Sequence, residues 1–285
     1  MTFGLAGALM LSAGEAPRPK LPGPNGHRLV AVPASEWRVG ESGHGLNPPR
    51  TVRLKAFLVA DAETTNAQFA IFVKETGHLT DAEKRGVAQV FRPDQPEWKW
   101  VDVKGATWKC PFGPDGKTAA DLPEHPVTQI SAADAAAYCQ WLGGRLPSLA
   151  EWEVAARAGA TARHPWGAAF NPNAANIWNG ATHARNTRED GWELTAPVRS
   201  YAPNAWGLYD VIGNVFEYCS DLPAGVRQRA DHPLTAARGG SWWCSKDTCR
   251  FFNLVDIGTM ERHGSLPNQG FRIVFDSGRI SAGNP

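Results

Sequence analysis

HPVTQISAADAAAYCQWLGGRLPSLAEWEVAARAG, residues 125–159, carries two helices that announce their starts in the same way. Ser131 is followed three positions on by Asp134, and Ser148 by Glu151. In each pair the hydroxyl can accept an N–H of the first turn while the carboxylate reaches back to the serine N–H. Gly143, Gly144 and Gly159 then supply the stops. Upstream, Thr65 caps a third helix over NAQFAIFVKET, in which Phe69, Phe72 and Val73 recur at helical spacing and Gly77 ends the run.

Working outward, RLVAVPASEWRVG and TVRLKAFLVA read as short strands joined by a Gly-, Asn- and Pro-rich turn, and QGFRIVF closes the chain with another strand. Residues 79–125 are irregular, with Trp98, Trp100 and Trp108 as aromatic anchors and PFGPDG as a turn. Beyond residue 160 short apolar runs alternate with Gly and Asn. The expectation is an α+β domain with little regular secondary structure.

The 285 residues show no composition break after residue 28, which predicts a single domain over residues 29–280. Residues 1–28 read as an export signal and linker: MTFGLAGALMLSAGEA has an apolar core and a small-residue end, although no Lys or Arg precedes it, and Pro and Gly follow. Export places the protein in the periplasm or outside the cell; without it the protein is cytoplasmic. The apolar run is too short to cross a bilayer, so no stable membrane insertion is expected. Charge is balanced, at 29 basic against 28 acidic residues, and no basic run offers a nucleic-acid footprint. Twelve tryptophans among 29 glycines and 22 prolines suit loops pinned by large aromatic anchors. The five cysteines, Cys110, Cys139, Cys219, Cys244 and Cys249, cannot all pair with one another, and Cys139 and Cys219 read as buried free thiols.

The blocks ETTNAQFAIFVKETGHLTDAEKRG, the two-helix stretch, NPNAANIWNG, NTREDGWELTAPVRSYAPNAWGLYDVIGNVFEYCSD, RGGSWWC and GFRIV together resemble the formylglycine-generating-enzyme, or sulfatase-modifying-factor, family from about residue 30 to 275. That resemblance implies a loop-rich variant of the C-type-lectin fold. It also marks Ser241, Cys244 and Cys249 as the catalytic region, where the family's two cysteines bind copper(I) and activate dioxygen. Two thiolates suit a soft monovalent ion and leave room for a substrate thiol; in an exported protein the same pair can instead form a disulfide. Calcium is the second implied cofactor, at two sites: one at Asn176, Ile177, Asp190 and Trp192, the other at Asp210, Gly213, Val215 and Glu217. Mixed carboxylate, amide and carbonyl oxygens are what that ion takes. His125 reads as structural, while His183, His232 and His263 lack metal-ligand spacing.

The chain departs from the sulfatase-activating pattern in three places. Ile257 stands where that pattern has an arginine after the second cysteine, Thr248 where it has an aromatic residue before it, and Phe216 where it has a tryptophan. An apolar side chain cannot supply a guanidinium's forked donors, so substrate recognition is expected to differ. The resemblance then favours an exported oxidoreductase acting on a siderophore precursor, oxidising a dihydropyoverdine-type chromophore as the family's pyoverdine-maturation branch does, with oxygen or another electron acceptor. Phe216, Trp242, Trp243 and Phe251, with Phe252, would line an aromatic pocket for it. The alternatives are a copper-dependent enzyme that oxidises a sulfatase cysteine with dioxygen, and a calcium-stabilised lectin-fold module without catalysis.

Overall fold

The computed structural model describes residues 18–92, 99–183, 185–246 and 249–278. The export-signal reading falls on residues outside these, as do Trp98 and Thr248. The fold begins at β1 (Lys20–Pro22), which pairs antiparallel with β2 (Arg28–Val32), so residues expected as linker belong to the first sheet. Two side chains anchor this edge: Asn25 donates to the Tyr138 hydroxyl and the Gln68 carbonyl, and the buried His27 ring meets the same hydroxyl at 2.9 Å. β3 (Ser35–Val39) and β4 (Arg50–Leu54) form a hairpin, and β5 (Phe57–Ala60) follows. All four β5 side chains are buried, because the strand lies inside the first sheet.

Helix α1 (Asn66–Thr76) starts from the predicted Thr65 cap, reciprocated by Gln68, and stops at a left-handed Gly77. A second, five-residue helix, α2 (Asp81–Arg85), begins with the same device at Thr80 and Glu83. It leads into a hairpin of β6 (Val87–Arg92) and β7 (Lys99–Lys104), in the stretch expected to be irregular. Helices α3 (Ala132–Trp141) and α4 (Leu149–Arg157) carry the two predicted capping boxes. Tyr138 of α3 sits at the centre of the core with Phe69, Phe72, Trp141 and Phe271 around it.

The second half is mostly loop. β8 (Phe216–Cys219), β9 (Leu234–Arg238), β10 (Gly258–Glu261) and β11 (Gln269–Gly270) build a second sheet in the order β10-β9-β8-β11, and β12 (Val274–Asp276) returns to complete the first, β1-β2-β5-β12. The long loops are fastened by side-chain amides and carboxylates rather than by ladders. Asn214 is the main fastener: its backbone N–H donates to the Asn176 carbonyl, its side chain accepts from Asn176 and from the Ala196 N–H, and it donates to Glu63 at 2.6 Å. Gly213 passes so close to Asn176 that a β-carbon there would stand 2.3 Å from the Asn176 carbonyl oxygen, with φ at +80°. Among the described residues no helix is long and apolar enough to cross a membrane.

Candidate active site

Ser241, Cys244 and Cys249 lie together on the loop that follows β9. The two sulfurs are joined as a disulfide across a Cα separation of 4.4 Å. They differ in access: Cys244 is fully buried, whereas Cys249 is only half-buried. The Ser241 hydroxyl lies 3.9 Å from the Cys244 sulfur. It accepts the side-chain N–H of Asn268 at 3.1 Å and the backbone N–H of Trp243 at 3.3 Å. With both lone pairs occupied, the hydroxyl proton is left to point at sulfur. Asn268, absent from the sequence-based set, is therefore part of the site, and its side-chain amide oxygen is buried without a hydrogen-bond partner among the described residues.

The expected aromatic pocket does not form as one wall. Trp242 is 1% exposed, gives its indole N–H to the Pro267 carbonyl and packs on Phe91. Phe216 and Phe252 are also buried. Only Trp243 and Phe251 reach the surface, and they do so in different surroundings. Trp243 stacks on His183 at 4.3 Å and neighbours Trp100, while Phe251 meets Phe216 at 6.0 Å. His183 also bonds the Trp243 carbonyl at 2.7 Å, and burial holds its pKa below the usual imidazole value. It buttresses the loop that carries Cys244.

A groove of about 820 Å³ opens between β6 and β10, and none of Ser241, Trp243, Cys244, Cys249 or Phe251 lines it. Val87, Ala88 and Gln89 of β6 with Asp102 of β7 form one side and Thr259, Met260 and Glu261 the other, with Arg85, His263 and Gln269 among the remaining lining residues. Two routes link its lining to the residues around the cysteines. Gln269 follows Asn268, whose carbonyl receives the Phe216 N–H, and Thr259 follows Gly258, which lies against the Phe216 ring. Ile257 is buried and presents no polar group here.

The two sets of implied calcium donors also come together. In the first, the Asp190 carboxylate accepts the N–H groups of Ile177 and Trp192, and the Asn176 amide donates to Leu194. Burial raises the Asp190 pKa, so its anionic form lacks the stabilisation that water would give. In the second, Asp210 and Glu217 lie near Glu63, a residue the sequence reading did not single out. Both Glu217 oxygens are engaged by Arg272, and the Trp152 indole donates to one of them at 2.6 Å. Burial, followed by the charges of Asp210 and Glu217, pushes the Glu63 carboxyl well above its ordinary range, and burial pushes Asp210 to about 6.

Three buried carboxylates against the Arg272 guanidinium leave a surplus of negative charge that a hard cation would offset, so the donors fit calcium. Asp210 and the carbonyls of Gly213 and Val215 are the freer part of that set, since Glu217 is already committed to Arg272. Two facing sulfurs with a hydroxyl beside them likewise fit copper(I) once reduced. Among the described residues no three His, Cys, Asp or Glu side chains converge to hold a metal, so any such ion must draw on amide, carbonyl or substrate donors as well. Cys139 and Cys219 are buried, and burial raises both thiol pKa values, which keeps them unreactive.

Comparison with known proteins shows the family. The chain is 39% identical over 287 residues to the formylglycine-generating enzyme of Thermomonospora curvata, covering 87% of this chain and 93% of that one. It is 34% identical over 280 residues to the inactive Cα-formylglycine-generating enzyme 2 of Bos taurus, covering 88% and 89%. Its fold is similar to that of PvdO from Pseudomonas aeruginosa, with a TM-score of 0.63 over 92% of this chain and all of that one, at 21% identity. Residues 16–277 match the sulfatase-modifying factor enzyme 1-like domain, and the chain belongs to that family.

Proposed function

We propose that this protein oxidises a cysteine side chain in an extended peptide to formylglycine, using copper(I) held by Cys244 and Cys249 and dioxygen as the acceptor. The observation that carries this reading is the half-buried Cys249 beside the buried Cys244 and the Ser241 hydroxyl, with an open groove beyond Asn268 and Phe216. An open trench suits a linear chain better than a compact chromophore. The similarity to active formylglycine-generating enzymes points the same way. Similarity to an inactive relative means that identity alone does not decide activity.

Each residue has a part in the reaction. Reduction of the disulfide frees two thiols, of which Cys249 is the one an incoming sulfur can reach. The Ser241 hydroxyl, fixed by Asn268 and Trp243, donates towards Cys244 and stabilises its thiolate. Bound copper(I) would supply the electron that activates dioxygen. Overall, a –CH2–SH group becomes an aldehyde and releases hydrogen sulfide. Dioxygen takes two electrons from that carbon and two from a pair of external thiols, which leave as a disulfide, and one oxygen atom departs as water. The test is to supply reduced, copper-loaded protein with a cysteine-containing peptide and to measure oxygen uptake and hydrazide-reactive aldehyde; absence of both sinks the reading.

A second reading, oxidation of a dihydropyoverdine-type siderophore precursor in the periplasm, is favoured by the apolar Ile257 in place of an arginine and by the half-exposed rings of Trp243 and Phe251. The same oxygen-uptake assay with that chromophore, followed by its change in absorbance, separates the two.

A further inference from the structure

We propose that the groove along β10 binds an extended polypeptide by strand addition, with the outer edge of β10 at Thr259 and Glu261 as the pairing template. The proposal rests on the peptide-oxidising reading for the identity of the occupant and deepens it by specifying how the chain is held.

Strand geometry carries the argument. The register of β9 and β10 places Gly258 opposite Ala237 and Met260 opposite Thr235, and the next N–H, of Arg262, donates to Pro233 at 2.7 Å. Because inward-facing residues alternate with outward-facing ones, Gly258, Met260 and Arg262 spend their backbone groups on β9, while Thr259 and Glu261 turn theirs away. The Glu261 carbonyl is taken by the Gly264 N–H. The Thr259 N–H, the Thr259 carbonyl and the Glu261 N–H have no hydrogen-bond partner among the described residues. They form a short open edge at the border of the sheet.

This edge faces the groove rather than bulk solvent alone. Side chains of consecutive strand residues point to opposite faces, yet Thr259, Met260 and Glu261 all line the groove. A cavity touched by three successive residues of a strand runs along its edge. Across the gap the wall is the β6–β7 hairpin, with Val87, Ala88 and Gln89 of β6 and Asp102 of β7 in the lining and the Gln89 carbonyl already taken by the Gln129 amide at 2.8 Å. The groove thus has one wall with an open strand edge, that of β10. Unpaired edges of this kind are templates for another chain, and main-chain pairing gives affinity with little demand on side-chain identity. That suits a site in which Ile257 supplies no charged handle. A peptide lying along Thr259 runs towards Gly258, Phe216 and the cysteine region, which is the direction a substrate cysteine must travel.

A backbone-specific change tests the idea. Thr259→Pro removes the outward N–H, and an edge position whose N–H makes no ladder bond tolerates proline. Thr259→Ala removes only the side chain. Binding of a dye-labelled linear peptide, with serine in place of its cysteine, would be followed by fluorescence anisotropy on full-length protein, with thermal midpoints checked for each variant. The expected result is unchanged binding to Thr259→Ala and roughly tenfold weaker binding to Thr259→Pro, with the same loss on N-methylating one peptide amide in wild type. Equal binding to Thr259→Pro, or no binding of any linear peptide to wild type, overturns the proposal. Should Thr259→Pro fail to fold, the N-methylated series in wild type decides alone. Proline-sensitive binding without oxygen uptake on the cysteine peptide would leave strand addition standing and remove the oxidase reading.

Discussion

Asn268 donates its side-chain amide to the Ser241 hydroxyl, and in doing so sets the direction of the hydroxyl proton towards Cys244. Ser241→Ala removes the donor to sulfur outright and is expected to weaken copper(I) binding roughly tenfold, the worth of a hydrogen bond to a charged group. Asn268→Ala keeps the hydroxyl but frees one of its lone pairs, and should give a smaller loss in the same direction. Competition against a chromophoric copper(I) chelator measures both, and identical affinities in all three proteins would show that the hydroxyl does not serve the thiolate.

The unequal burial of the two cysteines predicts unequal reactivity. In the reduced protein an alkylating reagent should label Cys249 before Cys244, because attack needs access as well as a thiolate. A peptide thiol activated as a mixed disulfide should be captured by Cys244→Ser, which keeps the accessible sulfur, and not by Cys249→Ser. Peptide mapping by mass spectrometry reads the labelled position directly; preferential capture at Cys244 would reverse the assignment of roles.

The helices were legible because their signals are local. Thr65, Ser131 and Ser148 each stand three residues before a Gln, Asp or Glu, and each forms the expected reciprocal cap. Thr80 and Glu83 carry the same signal for α2, but only five helical residues follow, too few to show an apolar period. The hairpin of β6 and β7 was missed because Val87, Ala88, Val90 and Phe91 do not alternate cleanly with polar residues. Phe91 instead joins an aromatic cluster with Trp178 and Trp242. Ser241, Cys244 and Cys249 were legible as a site because they lie within nine residues of one another. Asn268 and Glu63 were not, since what brings them in is tertiary: Asn268 comes from 27 residues downstream and Glu63 lies 151 residues before Asn214. No periodicity in the chain encodes either approach.

Calcium should be a structural component of this protein. The loops around Asn176, Asp190, Asp210 and Gly213 have few ladder bonds, and the buried carboxylates of Glu63, Asp210 and Glu217 exceed their cationic partner. An ion that binds only the folded state at a hundred times its Kd adds about 2.7 kcal/mol of stability. Removing it with a chelator should lower the thermal midpoint, and calcium rather than magnesium should restore it. Asp190→Asn and Asp210→Asn should each reduce the bound equivalents seen in native mass spectrometry. Protein that binds no calcium would imply that the surplus charge is handled by a proton on Glu63, whose raised pKa permits it.

Acid should loosen the first sheet through His27. Burial, aided by the positive charge of Arg199 and opposed by Asp61, lowers its pKa from 6.5 to about 4. Below pH 6.5 the unfolded chain takes up a proton that the folded chain refuses, so stability is full above that value. It declines as pH falls towards 4, where the folded form also protonates, for a total loss of roughly 3 kcal/mol. His27→Gln lacks this ionisation, and the stability gap between the two proteins should change with pH only inside that window. Urea melts at a series of pH values test it; parallel stability profiles would show that His27 is not the titrating group.

Glu153 and Arg238 form the buried ion pair on which the join between α4, the β3–β4 loop and β9 depends. Their side chains are 1% and 0% exposed, and Arg238 reaches Glu153 at 2.9 Å and the Leu254 carbonyl at 2.6 Å. Glu153 also receives the N–H of Gly40, the amide of Asn47 and the guanidinium of Arg157, each at 2.8 Å. Arg238 has two further nitrogens buried without partners among the described residues, so its charge is held in place by Glu153 and by the face of Trp152, 5.1 Å away. Glu153→Gln keeps the shape but leaves that guanidinium without its counter-charge, a change worth about 3 kcal/mol or more in a buried pair. Replacing Arg238 by Met in the same protein removes the stranded charge. Since an apolar residue of similar volume costs little in such a place, the double variant should be more stable than Glu153→Gln alone. Urea unfolding of the two variants decides the matter: additive losses would mean that the charges do not act as a pair, whereas recovery in the double variant identifies their mutual neutralisation as the reason both are tolerated in the core.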